Sequence, residues 1–477
     1  MLGQCSVVHS GIRKGGHDAV EAESTRMNRA IPRLALLLGA SSLIAGCARY
    51  RPAPLAESAV TLAAPDMAIV SADAAKIDRP YLQPQPVDWS QPLTPNALAI
   101  VAVLENPDLK AQRAKVGVTD AQAFAARLLP DPQVQANYDK LLAGPDMFDA
   151  FGGQLALDLN QLRTARTERQ SNEAGKKQVR LDLAWAEWQT AGQARLQGIR
   201  ILALTRQLAI AQASAASAQE LFSESLRAGG RGDVSGADVD TRRQAALDAA
   251  DKARTAENDL ATARGELNKL LGLPPETALR LAPPPEPATP PDASVLVSQS
   301  FDRRLDLQAL RAGYDAAEAD VHKAILEQFP NLSLTLASAR DTSDNRTIGP
   351  AVGFTLPLWN RNRGGIATAT ATRAQLKAEY EARLFQTRAE IVAAAQGLET
   401  VRRQRAELIA QIPEIRRIAD RSAAAARRGD LSPAAAATAE QAGRDREFTL
   451  SQLDQQIAEQ TIALELLSGG PSEGWTR

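Results

Sequence analysis

The chain repeats itself, and that limits its possible folds more than any other feature. Asp108-Leu109-Lys110-Ala111-Gln112-Arg113-Ala114 returns as Asp306-Leu307-Gln308-Ala309-Leu310-Arg311-Ala312. Leu155-Ala156-Leu157-Asp158-Leu159 returns as Phe354-Thr355-Leu356-Pro357-Leu358, and Gly232-Asp233-Val234-Ser235 as Gly429-Asp430-Leu431-Ser432. Leu270-Leu271-Gly272 returns as Leu466-Leu467-Ser468-Gly469. The matches are collinear at an offset of about 200 residues, the mark of a duplicated structural unit. Residues 94–271 and 293–469 are the two copies, and a Pro-rich segment, 272–292, joins them.

Each copy reads as helix, strand, loop, strand, long helix, turn, helix. The strands are expected at 132–140 and 152–159 in the first copy and at 331–339 and 351–358 in the second. They alternate: Val134, Ala136 and Tyr138 against Gln133, Gln135, Asn137 and Asp139, then Leu332, Leu334 and Leu336 against Ser333 and Thr335. This pattern suits a lipid-facing, lumen-facing sheet and a half-buried hairpin equally well. A single helix is expected from Thr94-Pro95 to about Leu129, with Thr as N-cap and Pro in the first turn.

The long helices, expected at 165–228 and 366–428, would each reach about 95 Å at 1.5 Å per residue. Helices of that length need a continuous partner seam. Val239, Ala246, Ala249, Ala253, Ala256, Leu260, Ala263, Leu267 and Leu270 largely supply one at 3-4 spacing, as do Ile391, Ala394, Leu398, Val401, Leu408, Ile412 and Ile415, interrupted by Arg405, and Leu450, Leu453, Ile457, Leu464 and Leu467, with Gln460 in the gap. Aromatics at 4% and interspersed charges agree with long solvated helices. Pro413 is expected to kink or break the second long helix. The returning helices, 234–271 and 432–467, would stack end to end on the entering helices and lie beside the long ones. Ser235-Gly236-Ala237-Asp238 reads as a capping box, and Ser432-Pro433 as an N-cap followed by Pro at the first position.

The stretch from Pro350 to Arg383 changes period from 2 to 3.6 within a few residues, across Trp359-Asn360-Arg361-Asn362-Arg363-Gly364-Gly365. Trp359 is expected at an aromatic interface, with Arg361 and Arg363 near headgroups or carboxylates. Pro357 is awkward inside a strand. The matching corner, Asn160 to Thr164, has neither Pro nor Trp, so the two bends should differ, the second being the tighter.

Near the N-terminus, Met27 to Arg33 is a basic stretch and Leu34 to Ile44 an apolar one, too short to span a bilayer. Leu43-Ile44-Ala45-Gly46-Cys47 follows. Residues 1–46 are read as a signal region with translation starting at Met27. Residues 47–93 are read as an extended arm, and 470–477 as a tail. With three His, two Cys and a net charge of −1, no metal cluster, cofactor site, catalytic constellation or nucleic-acid surface is expected.

The segments NPDLKAQRA, LLPDPQVQANY, LPLWNRNRGGIATATATRAQLKAEY and RRGDLSPAAAATAE resemble the TolC-like outer membrane efflux family. Leu43 to Cys47 resembles a lipobox. The likeness is to the lipoprotein branch that serves resistance-nodulation-division pumps for drugs or heavy metals. It implies a mainly α fold with a membrane β-barrel, in which a homotrimer gives four strands per protomer to one 12-stranded barrel and its helices to a periplasmic tunnel. It further implies lipidation of Cys47, an outer membrane location, and docking to a periplasmic adaptor and an inner-membrane pump. The periplasmic tip would then carry Arg227, Arg231, Asp233, Arg427, Arg428 and Asp430, as charges that set selectivity or form closing ion pairs. Asp residues that the family places shortly after the second turn are Ala434 to Ala437 here; Asp238 and Asp240 are the nearest acids. Two other readings stay open: a duct for a protein-secretion system, and a non-conducting coiled-coil structural lipoprotein.

Overall fold

A computed structural model describes residues 50–58, 62–286, 288–472 and 475. Met27, Cys47 and the rest of the signal region lie outside the described residues. The chain divides into two units, Met1–Leu62 and Ala63–Arg477. In the first, residues 50–57 are exposed and have no regular structure. Everything below concerns the second.

The arm is not extended after residue 62. Helix α1, Met67–Ala74, is capped by Asp66, whose carboxylate accepts from the N–H groups of Ala68 and Ile69 at 2.9 and 3.3 Å. Its buried Val70 and Ala74 join Ile77, Leu82, Val87 and Leu93 in one cluster with residues 97–103. Frequent prolines hide this apolar spacing from a reading by composition. The linker is tied to the same region: Leu93 donates its N–H to the Arg280 carbonyl, and Ala282 donates to the Leu93 carbonyl.

The entering helix is broken in both copies. In the first, α2 (Pro95–Glu105) gives way to α3 (Pro107–Ala125) at Asn106. Pro107 cannot continue the α2 ladder, and Asn106 caps α3 by accepting from the Leu109 N–H at 3.0 Å. In the second copy α6 (Ala293–Arg303) meets α7 (Leu305–Leu326) at Arg304. The returning helices, α5 (Gly236–Leu270) and α9 (Pro433–Ser468), end against these breaks. Gly272 and Gly469 sit just beyond them with φ of +64° and +74°. A Cβ on Gly272 would lie 2.5 Å from the Glu105 carbonyl oxygen, and one on Gly469 2.9 Å from the Arg304 nitrogen. Only glycine fits both the left-handed conformation and the close backbone approach.

Helix α4, Leu159–Gly230, has 72 residues, and α8, Arg363–Arg427, has 65. At 1.5 Å per residue both are about 100 Å long. Helix α4 packs against α5, α7, α9, α2 and α3, and α8 against α9, α7 and α6. Each long helix therefore has shorter partners along it. Of the expected seam residues, Val239, Ala246, Leu260, Ala263 and Leu267 of α5, Ile391, Leu398, Val401 and Leu408 of α8, and Leu453, Ile457 and Leu464 of α9 are buried, while Ala249, Ala253, Ala256, Leu270, Ala394, Ile412, Ile415, Leu450 and Leu467 are half-buried. The expected break at Pro413 does not occur, because α8 runs through it unbroken. The carbonyl that loses its donor belongs to Ile409, an exposed residue, where solvent can satisfy it.

The strands are β1 (Gln133–Asp139), β2 (Ala150–Asp158), β3 (Leu332–Arg340) and β4 (Arg346–Phe354). They form one antiparallel sheet in the order β1-β2-β3-β4. Strand β4 starts and ends earlier than the alternation suggested, and Pro357 lies outside it. The corner expectation is reversed. Strand β2 passes directly into α4 with Asp158 as N-cap, whereas residues 355–362 intervene between β4 and α8. The first bend is the tighter.

Candidate functional site: channel wall and tip turns

Register sorts the sheet into two faces. One carries Val134, Leu155, Leu336 and Pro350 in a row, then Leu157, Leu334 and Val352, then Leu332 and Phe354. Most of these apolar side chains are exposed. The other face carries Gln133, Ala156, Thr335 and Ala351, then Gln135, Gln154, Ala337 and Gly349, then Asn137, Gly152, Ala339 and Thr347. Its charged members are Asp139 and Asp158, one at each end of the sheet. An exposed apolar band on one face, with small and polar residues on the other, is the pattern of a sheet between lipid and an aqueous lumen.

Both ends of the band carry aromatic and cationic groups. At the loop end Tyr138, Phe151, Arg340 and Arg346 share a row, and the Arg340 guanidinium lies 4.5 Å from the Phe148 ring. The two loops are tied there: Asp146 accepts from Thr342 Oγ1 at 2.5 Å and Ser343 Oγ at 3.0 Å. At the helix end Leu356, Leu358 and Trp359 are exposed, Trp359 to 87%. Arg361 and Asn362 hold φ of +46° and +50°. Asn362 fixes the bend by donating to the Ala324 carbonyl at 2.9 Å. Arg361 and Arg363 are exposed, and neither is ion-paired among the described residues.

The two tip turns are built alike. Asp233 and Gly232 donate to the Ala228 and Gly229 carbonyls, and Asp430 and Gly429 to those of Ala425 and Ala426. These are paired 6→1 and 5→2 bonds around a left-handed glycine, with φ of +81° at both Gly232 and Gly429. Ser235 accepts from the Asp238 N–H at 3.1 Å, and Ser432 from the Ala435 N–H at 3.3 Å. Arg231 pairs with Asp233 and Arg428 with Asp430, each at 2.9 Å. Arg227 and Arg427 project from the last helical turns, exposed. Asp240 pairs with Arg243 at 3.5 Å.

Where the short helices meet, two buried charge knots were not anticipated. Glu187 of α4, 1% exposed, accepts from Arg79 Nε at 2.5 Å and Arg113 Nη2 at 2.8 Å. Burial pushes the Glu187 carboxyl up, but the bonds from the two guanidiniums outweigh it and hold it below the ordinary carboxylate range. Burial and the Glu187 charge push the Tyr81 hydroxyl well above its usual value. In the second copy Arg304, 0% exposed, donates to Asp306 at 2.7 Å and to the Leu467 carbonyl at 3.2 Å, beneath the Trp185 ring. Burial raises Asp306, and Arg304 and Arg383 more than reverse that. The repeat could have pointed to one of these sites: Asn106, which matches Arg304, makes the same contact to the Leu270 carbonyl at 2.9 Å. Glu187 has no such signal, because two of its partners come from the arm.

Among the described residues no cluster of His, Cys, Asp and Glu is arranged to hold a metal. Among them, too, no helix is long and apolar enough to cross a membrane, which says nothing of a sheet. The geometry is that of a two-faced antiparallel sheet set on two long helical hairpins. Residues 296–470 match the outer membrane efflux protein family. The chain is 24% identical over 349 residues to the cobalt-zinc-cadmium resistance protein CzcC of Cupriavidus metallidurans, which covers 71% of this chain and 80% of that protein. It superposes on the Campylobacter jejuni CmeC outer membrane channel with a TM-score of 0.66, at 15% identity, over 90% of this chain and 95% of that one. The outer-membrane channel OprN gives a TM-score of 0.66 at 19% identity, over 89% and 98%. Residues 296–470 thus carry the likeness to outer membrane efflux proteins, and the chain as a whole shares the fold of the solved outer membrane channels.

Proposed function

We propose that this protein is the outer membrane duct of a tripartite efflux system, a homotrimer that passively conducts cargo delivered by a resistance-nodulation-division pump through a periplasmic adaptor. The two-faced sheet carries this reading. Its apolar band is continuous across all four strands, its other face has no basic residue, and its outer strands β1 and β4 are open edges. Open edges are not tolerated in lipid, and four strands cannot close a barrel. Two copies would give eight strands and an interior filled by side chains, so an open pore needs at least three.

On this reading residues 1–46 are removed and Cys47 carries lipid, anchoring each protomer to the membrane that its sheet crosses. Trp359, Arg361 and Arg363 lie at the periplasmic headgroups. The tip turns meet the adaptor, with Arg227, Arg231, Asp233, Arg427, Arg428 and Asp430 around the constriction. The decisive test is single-channel conductance of the purified protein in planar bilayers, together with its oligomeric mass. A monomer that never conducts, even with Arg427→Ala and Arg428→Ala opening the tip, would sink the duct reading. Metabolic palmitate labelling that is lost on Cys47→Ala tests the anchor.

Divalent metal cations are the favoured cargo class, for two reasons. The relative CzcC is named for cobalt, zinc and cadmium resistance, and the only charged residues on the polar face of the sheet are Asp139 and Asp158. Deletion of the protein should then lower cobalt, zinc or cadmium tolerance more than tolerance of organic drugs. The opposite ranking would remove metals as the cargo.

A further inference from the structure

The backbone of β4 is interrupted at its middle residue, on the side that faces away from the protomer. Thr355 donates to the Asn331 carbonyl at 3.2 Å, and Asp341 to the Asn345 carbonyl at 3.0 Å, at the two ends of the β3–β4 ladder. Bonded and unbonded pairs alternate along an antiparallel ladder. With the observed register, Leu334–Val352, Leu336–Pro350 and Ser338–Ile348 are therefore unbonded pairs. The backbone groups of Ile348, Pro350 and Val352 point out to the open edge. The same alternation, carried through β3 and β2, turns those of Val134, Ala136 and Tyr138 outward from β1.

All of these residues lie on the apolar face. Strand β4 of one copy can thus pair with β1 of the next without turning a side chain to the wrong face. The pairing also keeps the helices of both copies on one side, since β1 begins and β4 ends at the helical end of the sheet. Pro350, at the centre of Arg346–Phe354, has no N–H to give. Pairing with β1 therefore lacks one bond per seam. Pairing of β4 with another β4 lacks two in any register that overlaps both prolines, and it sends the helices of the two copies in opposite directions.

We infer that Pro350 selects the partner edge between copies of this chain: it permits closure of β4 onto β1 and disfavours dead-end self-pairing of β4. This rests on the barrel reading above. Pro350→Val restores the donor with an apolar, strand-favouring side chain. Full-length P350V trimers should dissociate in hot dodecyl sulfate about fivefold more slowly, the effect of one ordinary hydrogen bond per seam. Refolding of the denatured chain into detergent should yield several-fold more dimer at the expense of trimer. The unfolding midpoint of the isolated monomer should not move, because the new N–H does not face β3. Unchanged dissociation and unchanged refolding products overturn the inference.

Two further variants test the parity on which it stands. Ile348→Pro should leave the protomer folded and weaken the trimer, whereas Gly349→Pro should disrupt β3–β4 itself. The reverse pattern overturns the inference. Should P350V not fold, Pro350→Thr repeats the test with a smaller change in surface. If the wild-type protein forms no closed oligomer at all, the barrel reading falls on that measurement alone, before any variant is compared.

Discussion

The two copies of the repeat solve some of the same problems alike and others differently. At the tips they agree to the level of single hydrogen bonds: the same paired helix-end bonds, the same φ at Gly232 and Gly429, and the same Arg–Asp pair across the turn. At the strand-to-helix corners they diverge. The first makes its turn at one capping residue, Asp158, and the second uses residues 355–362 with two left-handed residues. At the helix breaks they hold a common contact by different means, a neutral Asn106 in one copy and a buried, ion-paired Arg304 in the other. Local backbone geometry is conserved between the copies where nothing else touches it. Where neighbouring elements differ, so does the chemistry. Asn106 is followed by Pro107, which breaks the helix unaided, whereas the second copy has Leu305 there and relies on the Arg304 knot.

The largest effect should come from breaking that knot. Arg304→Met leaves Asp306 buried with Arg383 alone and the Leu467 carbonyl without its guanidinium donor. Removing one partner of a buried pair costs about 3–5 kcal/mol. Asn106→Ala removes a cap and one carbonyl contact, and should cost about 1–2 kcal/mol. Urea unfolding of the two variants measures the difference. Equal losses would show that the two breaks are equivalent and that the charge adds nothing.

Acid should weaken both copies through their carboxylates. Glu187 and Asp306 are each held below their ordinary values by paired guanidiniums. A depressed carboxylate stabilises the fold above its unfolded pKa, and that stability is lost as pH falls through the lower folded value. Stability should therefore decline below about pH 4. Glu187→Gln should flatten the part of the decline that belongs to the first copy and leave the part due to Asp306. A thermal midpoint indifferent to pH between neutrality and pH 3 in the wild-type protein would contradict both assignments.

How much of this could be read beforehand follows the same division. The repeat, the long helices, their seams, the sheet faces and the tip caps are periodic or local signals, and they lie open in the sequence. What was misread depends on contacts distant along the chain. Residues 63–93 look formless until their apolar residues meet α2. The entering helix of the second copy breaks at Arg304, whose Leu467 contact lies far along the chain, whereas Pro107 marks the first break locally. Pro413 passes for a breaker, yet its cost is one exposed carbonyl. Pro357 and Trp359 suggested a tight second corner, but β4 ends at Phe354, and residues 355–362 are needed to reach α8.

The corners can be set against each other directly. Asp158→Ala removes the carboxylate that accepts from the Asn160 N–H at 2.8 Å and should destabilise by about 1 kcal/mol. Arg361→Gly relieves a left-handed non-glycine residue and should stabilise by up to about 1 kcal/mol. Opposite signs in thermal unfolding would confirm that one corner is held by a cap and the other carries strain. A loss from Arg361→Gly would instead mean that its side chain anchors the bend.

The smallest effect on stability is expected at the tips, where the copies agree. Arg231–Asp233 and Arg428–Asp430 are exposed pairs, each worth less than about 1 kcal/mol. Arg231→Ala and Arg428→Ala should leave unfolding within about 0.5 kcal/mol of the wild-type protein. Their effect belongs to conduction, because each removes one positive charge per protomer and frees a carboxylate. If both turns line one constriction, the two variants should shift the reversal potential in a salt gradient towards cation selectivity by similar amounts. A shift from only one variant would mean that the matched turns have divided roles, with one at the constriction and the other facing the adaptor. That outcome would extend to function the divergence already visible at the corners and the helix breaks.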